Sequence, residues 1–166
     1  MNEYVVEGLP IRNARRGDIP SLVLLASALL EETARRDPRL VPHARAREHL
    51  AARFAAWIAD PDHVIAVAEE GGRLVVGFAT GHVEPGFTWQ GARRVGRIAD
   101  CYVVPPRRRR GIGRRLASRV TDALEQAGAE AVRLCAPARS PETQAFWRAL
   151  GFDPLDTVLE RDAPRV

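Results

Sequence analysis

The sequence predicts one α/β (α+β) domain in which helices flank a largely antiparallel sheet. Its 166 residues are 46% hydrophobic and 28% charged, which is typical of one globular domain with a full hydrophobic core. Helix-type and strand-type apolar patterns both occur, and three strand-type runs follow one another between residues 63 and 104. Consecutive strands of this kind are typical of an antiparallel meander. We therefore expect residues 1–166 to form a single domain.

The first third of the chain predicts one strand and two helices. Residues 5–15 have a strand-like pattern, and Asp18 then offers an N-cap for a helix with Pro20 in its first turn. This helix extends to about Arg36, where the Asp-Pro pair at residues 37–38 ends it. Apolar residues at helical spacing predict a second helix over residues 43–59, namely Leu50, Phe54, Trp57 and Ile58.

The remaining elements alternate between strands and helices. A hairpin turn at residues 70–73 and a loop containing Gly86 and Gly91 separate the strands of the meander, which are predicted over residues 63–68, 74–83 and 95–104. A helix over residues 113–126 ends at Gly128 and leads into a strand over residues 131–136. Ser140 is the predicted N-cap of a last helix that stops at Gly151, and a final strand is expected around residues 157–161.

Composition disfavours several classes of protein. No run of about 18 apolar residues could cross a bilayer, and the first ten residues do not resemble a secretory signal. Cys101 and Cys135 lie far apart without a C-x-x-C pair or a histidine cluster, so we expect neither a disulfide framework nor a metal site. We expect a cytoplasmic protein that does not associate with membranes.

One local cluster of charge has a clear chemical meaning. All 25 basic residues are arginines, and four of them are consecutive at residues 107–110, after which the chain passes Gly111 and Gly113 and enters a helix. The first turn of a helix has unpaired N–H groups and a partial positive charge, and glycines let a phosphate approach the backbone closely. Arginines add charge-assisted hydrogen bonds. The loop is therefore suited to binding a pyrophosphate.

The two commonest phosphate-binding glycine loops do not match this segment. A Walker loop needs a lysine, and the chain contains none. A dinucleotide-binding fingerprint needs a third glycine where Leu116 stands, and it should follow a strand early in the chain. Nucleotide hydrolysis and NAD binding are therefore disfavoured.

The segment does match R-x-x-G-x-G, as Arg108-Arg109-Arg110-Gly111-Ile112-Gly113, with Val103 five residues earlier. This resembles the acetyl-CoA signature of the GNAT (Gcn5-related N-acetyltransferase) superfamily. Downstream, Phe146 to Phe152 is similar to the aromatic helix of that family, which ends in Gly-Phe. The resemblance implies a mixed sheet splayed between its fourth and fifth strands. It also implies transfer of an acetyl group from acetyl-CoA to a primary amine of a small molecule or a protein, by direct attack in a ternary complex.

The resemblance also implies which residues bind acetyl-CoA. The backbones of Val103 and Val104 would pair with the pantetheine arm. Ser140 and Trp147 would contact the coenzyme, although helix capping by Ser140 and core packing of Trp147 are the favoured alternatives. The pyrophosphate would be held by the consecutive N–H groups of Arg108, Arg109, Arg110, Gly111, Ile112, Gly113 and Arg114.

The candidates for proton transfer are carboxylates in the strands. Asp100, three residues before Val103, is the first choice for general base, although beside so many arginines it is equally suited to a structural salt bridge. Glu84 ranks second, and His82 on the same strand face ranks third. Many family members carry a tyrosine where this chain has Trp147, which cannot supply a phenolic proton. Tyr102 could donate one instead, as could solvent.

Two other classes of function stay open. The arginines could belong to a nucleic-acid-binding module, but they are confined to one loop without a nucleic-acid motif. The chain could also be an acyl-CoA sensor that keeps the fold and lacks turnover, which the missing tyrosine favours. The amine-bearing acceptor is not identified by the sequence. Its specificity should lie in the first two helices and in the loops at residues 37–43 and 84–94. A homodimer is suggested by family analogy alone.

Overall fold

The computed structural model describes residues 9–42, 45–88 and 91–159 of the chain. Within these ranges lie a five-stranded sheet and four α-helices. The strands are β1 (Ile11–Asn13), β2 (His63–Glu70), β3 (Leu74–Thr88), β4 (Gly91–Val103) and β5 (Ala131–Leu134). The helices are α1 (Ile19–Arg36), α2 (Ala46–Ala59), α3 (Ile112–Gln126) and α4 (Pro141–Arg148).

The sheet is mixed, as predicted. Its strands lie in the order β1-β2-β3-β4-β5, and each of the first four is antiparallel to its neighbour. β5 is parallel to β4 and pairs only with Val95–Ile98, which leaves residues 99–103 of β4 without a partner on that side. The prediction of a mostly antiparallel sheet that is splayed between its fourth and fifth strands is therefore confirmed.

Several predicted boundaries were wrong. The predicted loop at residues 84–94 is a continuation of β3 and β4, which pair as far as Thr88 and Gly91, because cross-strand pairing outweighs the low strand propensity of Pro85 and Gly86. β1 covers only three residues, and residues 5–8 of its predicted range lie outside the described residues. β5 ends two residues early. The last predicted strand is absent from residues 157–159, while residues 160–161 are not described.

Neither predicted N-cap makes a capping hydrogen bond to its α-helix. Asp18 accepts the backbone N–H of Arg15 at 2.8 Å and pairs with the guanidinium of Arg12, so it closes the short turn before α1. The hydroxyl of Ser140 lies 2.7 Å from that of Thr143 and makes no capping bond to the backbone of α4. In both cases a nearby side chain competes with the backbone for the capping oxygen.

The helices cover both faces of the sheet. α1 and α2 pack on one face, where Leu22, Phe54 and Phe78 are fully buried. α3 lies against the other face at close range, because β3 presents glycines to it. A Cβ atom at Gly81 would lie 2.7 Å from a methyl group of Val120. This approach places the N-terminus of α3 beside the end of β4.

By contact density the chain divides into two compact units, the first ending at Cys135 and the second beginning at Ala136. The second unit contains α4, in which Trp147 packs edge to face on the rings of Phe146 and Phe152. Within the described ranges, no helix combines the length and the apolar content that crossing a membrane requires.

Candidate functional site

A β-bulge lies at the point where β5 stops pairing with β4. Thr80 pairs with Asp100, but the next residue of β3, Gly81, pairs with Ile98, so Ala99 is an extra residue in β4. The pairing of β4 with β5 ends at the same Ile98. Bulges redirect a strand and are common beside functional sites. Here the bulge begins the stretch of β4 whose outer edge lacks a neighbouring strand.

The direction of the backbone groups along this edge follows from one hydrogen bond. The N–H of Val104 donates to the carbonyl oxygen of Val76 at 2.9 Å. Because successive residues of a strand direct their backbone groups to opposite sides, those of Cys101 and Val103 face away from β3. The carbonyl of Val103 accepts a hydrogen bond from Nε of Arg108 at 2.8 Å, which agrees with this direction.

The geometry contradicts the predicted pairing of Val104 with the pantetheine arm. Its N–H bonds to Val76, and its carbonyl accepts the N–H of Arg107 at 2.9 Å. Val103 keeps an N–H directed toward the opening between β4 and β5, and the groups of Cys101 face the same way. Cys101 therefore takes the place that the sequence assigned to Val104.

The loop after β4 presents a run of unpaired N–H groups. After a 3-10 turn over Pro105–Arg107, Arg109 and Gly111 adopt left-handed φ angles of 62° and 77°, and α3 begins at Ile112. Among the described residues, the N–H groups of residues 109–114 have no hydrogen-bond acceptor. Arg108 was predicted to belong to this run, but its N–H donates to the carbonyl of Pro105 at 3.2 Å. The remaining six groups, at the positive end of a helix, are suited to binding an anion.

The arginines of the loop divide into two groups. Arg107 makes a bidentate pair with Glu70, with N–O distances of 2.7 and 3.0 Å. Nη2 of Arg108 donates to both carboxylate oxygens of Glu32, at 2.7 and 3.0 Å. These two side chains fix the loop to the rest of the protein. The second group has exposed side chains that make no ion pair with a described residue. Its members are Arg109, Arg110 and Arg114.

Glu32 joins the loop to β4 and α1. It accepts the hydroxyl of Tyr102 at 3.1 Å in addition to Arg108. Burial alone would raise the pKa of Glu32, but the hydrogen bonds from Arg108 and Tyr102 outweigh it and hold the pKa below its ordinary value. Burial and the bond to Glu32 raise the pKa of Tyr102. A buried hydroxyl that already donates to a carboxylate is poorly suited to protonate a leaving thiolate.

Asp100 is held from β3 and faces α2. Thr80, which is fully buried, donates its hydroxyl to Oδ2 of Asp100 at 3.0 Å and accepts the N–H of Asp100 at 3.1 Å. Nη2 of Arg53 lies 3.5 Å from the same Oδ2. Neither contact involves Oδ1, which accepts no hydrogen bond from a described residue. Asp100 is therefore oriented by Thr80 and keeps one oxygen available for a proton.

Glu84 lies apart from Asp100. Glu84 lies four residues from Thr80 along β3, roughly 13 Å, and its partner on β4 is Val95. Oε1 of Glu84 accepts Nε of Arg97 at 2.9 Å and lies 3.1 Å from Nε2 of His82. Burial would raise the pKa of Glu84, but these two partners outweigh it and lower the pKa, which makes Glu84 a weak base. His82 stacks on His63, with ring centroids 5.1 Å apart.

The sequence did not identify three residues that organise this site. Thr80 lies 20 positions from Asp100, Arg53 lies 47 positions from it, and Glu32 lies 76 positions from Arg108. None of them belongs to a motif, and only the packing of β3, α2 and α1 brings them to β4. The two predicted residues of the second unit, Ser140 and Trp147, make the local contacts described above.

Several solved structures of similar fold are described as acetyltransferases. An aminoglycoside N-acetyltransferase in complex with CoA is 16% identical, with a TM-score of 0.75 and coverage of 93% of this chain and 94% of that one. Glucosamine-6-phosphate N-acetyltransferase from Arabidopsis thaliana is 20% identical, with a TM-score of 0.70 and coverage of 94% and 99%. A predicted acetyltransferase with acetyl-CoA from Clostridium acetobutylicum is 21% identical, with a TM-score of 0.76 and coverage of 93% and 96%. At these identities the likeness is one of fold.

The family follows from the sequence match. The model described as the acetyltransferase (GNAT) family matches residues 27–152, which include the β4 edge, the arginine loop and α3. The chain therefore belongs to the GNAT acetyltransferase family, whose members are generally N-acetyltransferases. No curated protein matches the chain significantly.

Proposed function

We propose that this protein is an acetyl-CoA-dependent N-acetyltransferase that acts on a primary amine by direct attack within a ternary complex. The observation that carries the proposal is the run of six N–H groups over residues 109–114 that have no acceptor among the described residues. These groups begin just beyond a strand edge that β5 leaves unpaired. Structures of similar fold contain CoA or acetyl-CoA, which supports the same ligand class here.

The shape of this site suits the two parts of the coenzyme. An extended pantetheine arm can pair with the backbone groups of Cys101 and Val103 as an added strand. The pyrophosphate can accept the N–H groups at the start of α3 and the free guanidinium groups of Arg109, Arg110 and Arg114. Arg107 and Arg108 hold the loop in place through Glu70 and Glu32.

The proposed chemistry uses one backbone donor and one carboxylate. The N–H of Cys101, which lies farther than Val103 from the pyrophosphate loop on the same edge, polarises the thioester carbonyl. Oδ1 of Asp100 accepts a proton from the attacking amine, directly or through water. The amine nitrogen forms a C–N bond as the C–S bond breaks, and the leaving thiolate takes a proton from solvent. Asp100 suits this role better than Glu84, because the hydrogen bonds from Arg97 and His82 outweigh the effect of burial on Glu84, lower its pKa and make it a weak base.

The coenzyme site is tested by isothermal titration of acetyl-CoA into the wild type and into Arg114→Gln and Arg114→Glu. Both variants should fold, because an uncharged or acidic residue in the first turn of a helix is compatible with its dipole. A hydrogen bond to a charged group contributes about 1.5–3 kcal/mol, so we expect roughly tenfold weaker binding for glutamine and about a further tenfold for glutamate.

Arg119→Glu is the matched control, because it makes the same charge change further along α3. Its side chain contacts Asn13, and it lies five residues from Arg114, roughly 7.5 Å along the helix, so its charge acts on the proposed phosphate site from a longer distance and without a hydrogen bond. Failure of the wild type to bind acetyl-CoA would contradict the proposal, and salt-dependent binding of DNA or RNA would then favour the nucleic-acid module. Coenzyme binding without thiol release for any amine would favour the sensor.

A further inference from the structure

Arg53 is a cation whose hydrogen-bonding capacity is largely unused. It projects from α2, and its guanidinium lies 4.6 Å from the centre of the Trp57 ring. Its one hydrogen bond within the described residues is to Oδ2 of Asp100, and at 3.5 Å this is at the outer limit of such bonds. Nε of Arg53 is buried and has no partner in the described part of the chain. A ligand could therefore reach this guanidinium at its terminal nitrogens, Nη1 and Nη2.

Neighbouring arginines are paired much more closely. Nε of Arg97 donates to Glu84 at 2.9 Å, and Arg108 makes its two bonds to Glu32. Asp100 takes its orientation from Thr80, so it does not need Arg53 to hold it. Arg53 therefore has unused donors at its terminal nitrogens, and Asp100 has an unused acceptor at Oδ1. Both side chains retain contact with solvent, with exposed fractions of 39% and 17%.

We propose that Arg53 and Asp100 together select an acceptor that carries a carboxylate next to its amine, that is, a free α-amino acid. This inference rests on the function proposed above. The acceptor carboxylate binds the accessible end of the Arg53 guanidinium through Nη1 and Nη2, in a two-point contact of the kind that arginine favours. The α-ammonium group then lies beside Oδ1 of Asp100, and the Trp57 ring fixes the plane of the guanidinium.

The reaction balances with these residues alone. The ammonium group gives one proton to Asp100 and becomes the neutral nucleophile, and its nitrogen attacks the thioester carbonyl carbon. The C–N bond forms, the C–S bond breaks, the nitrogen loses its second proton, and the thiolate takes one proton. The products are the N-acetyl amino acid, CoA and one net proton. Arg53 binds the carboxylate throughout and is a specificity-determining residue.

The test compares each L-amino acid with its α-amide in a thiol-release assay with acetyl-CoA. The amide keeps the side chain and the amine but replaces the carboxylate with a neutral group. The amine of the amide is less basic than that of the acid, so a larger fraction of it is neutral and able to attack. A preference for the acid therefore cannot arise from the basicity of the amine. We expect the wild type to favour at least one acid over its amide by about 30-fold in kcat/KM. Arg53→Gln should abolish the preference, mainly through KM, and Arg53→Lys should restore part of it.

Arg47→Gln is the matched control, since it removes the same charge from an exposed position of α2 and should keep the preference. Equal turnover of acids and amides by the wild type would overturn the inference. So would a decrease in kcat/KM in Arg53→Gln that is equal for the acid and the amide. A calorimetric titration of the amino acids into the CoA-saturated protein gives a readout that does not depend on turnover, and binding should weaken at least tenfold in Arg53→Gln.

The two proposals fail in distinguishable ways. If acetyl-CoA does not bind, the proposed function and this inference fail together. If acetyl-CoA binds and amino-acid amides, polyamines or amino sugars are acetylated while no amino acid is, the acetyltransferase stands and the acceptor assignment is wrong. The assignment is equally wrong if acetyl-CoA binds and no amino acid either binds or reacts.

Discussion

Removing either partner of the Arg108–Glu32 pair should destabilise the protein through the loss of one interaction. The sequence motif suggests that Arg108 contacts the coenzyme phosphates, whereas the structure gives its guanidinium to Glu32 and to the carbonyl of Val103. Arg108→Gln, Glu32→Gln and the double variant separate these two roles. Glutamine keeps the length and polarity of glutamate while removing its charge.

The expected magnitude follows from the burial of the pair. The side chains of Glu32 and Arg108 are 19% and 36% exposed, so the pair is intermediate between a surface and a buried ion pair. A surface pair contributes at most about 1 kcal/mol, and disrupting a buried pair costs about 3–5 kcal/mol. We expect each single variant to lose about 2 kcal/mol, and the double variant to lose little more than either single one. For a chain of this length the melting temperature should fall by about 4–8 °C.

Thermal unfolding followed by circular dichroism measures this loss, and its pH dependence gives a second check. The folded pKa of Glu32 lies below the ordinary value of 4.5. The stabilisation is therefore complete above about pH 4.5 and is lost as the pH falls through the folded pKa. The difference in melting temperature between the wild type and Glu32→Gln should shrink accordingly from pH 7 toward pH 3.

Acetyl-CoA titrations decide between the two roles of Arg108. If Arg108 only anchors the loop, Glu32→Gln and Arg108→Gln should weaken binding by a similar, small factor. If Arg108 instead contacts a phosphate, Arg108→Gln should weaken binding strongly, and Glu32→Gln, which removes a nearby negative charge, should leave it unchanged or improve it. That second pattern, with unchanged melting temperatures, would refute the reasoning.

Three further predictions concern other parts of the molecule. Asp100→Asn should lower kcat by about 10²–10⁴-fold and leave the affinity for acetyl-CoA unchanged, and an unchanged kcat would assign Asp100 a structural role only. Gly81→Ala should cost about 1–3 kcal/mol in chemical denaturation, because its Cβ would meet a valine methyl group of α3 at 2.7 Å, whereas Gly17→Ala, with no atom within 4 Å, should cost little. Desolvation of the half-buried Cys101 thiol and the charge of Asp100 raise its pKa to about 12. At pH 8 an aromatic disulfide reagent should therefore titrate only the exposed Cys135 in the native protein and both thiols after denaturation. Rapid reaction of two thiols in the native state would contradict the raised pKa of Cys101.

Much of the fold was predictable because it depends on local patterns. The apolar spacing in α3 and the turn at residues 70–73 are short-range signals, and the predicted helices and the meander are present. The errors occurred where pairing or competition overrides a local preference. Pro85 and Gly86 indicated a loop but lie in a strand paired with β4, and Asp18 indicated a helix cap but bonds to Arg12 and the N–H of Arg15.

The sequence by itself determined the family and located the loop that we propose binds the coenzyme, because R-x-x-G-x-G and the elements around it are contiguous. Only the tertiary structure divided the four consecutive arginines, since Glu70 and Glu32, which bind the first two, lie far away in the chain. It also decided that Val104 is bonded to β3, and that Asp100 is oriented by Thr80 opposite an under-bonded Arg53. Side-chain partners depend on which elements pack together, and a motif contains no information about residues that reach it from another strand or helix.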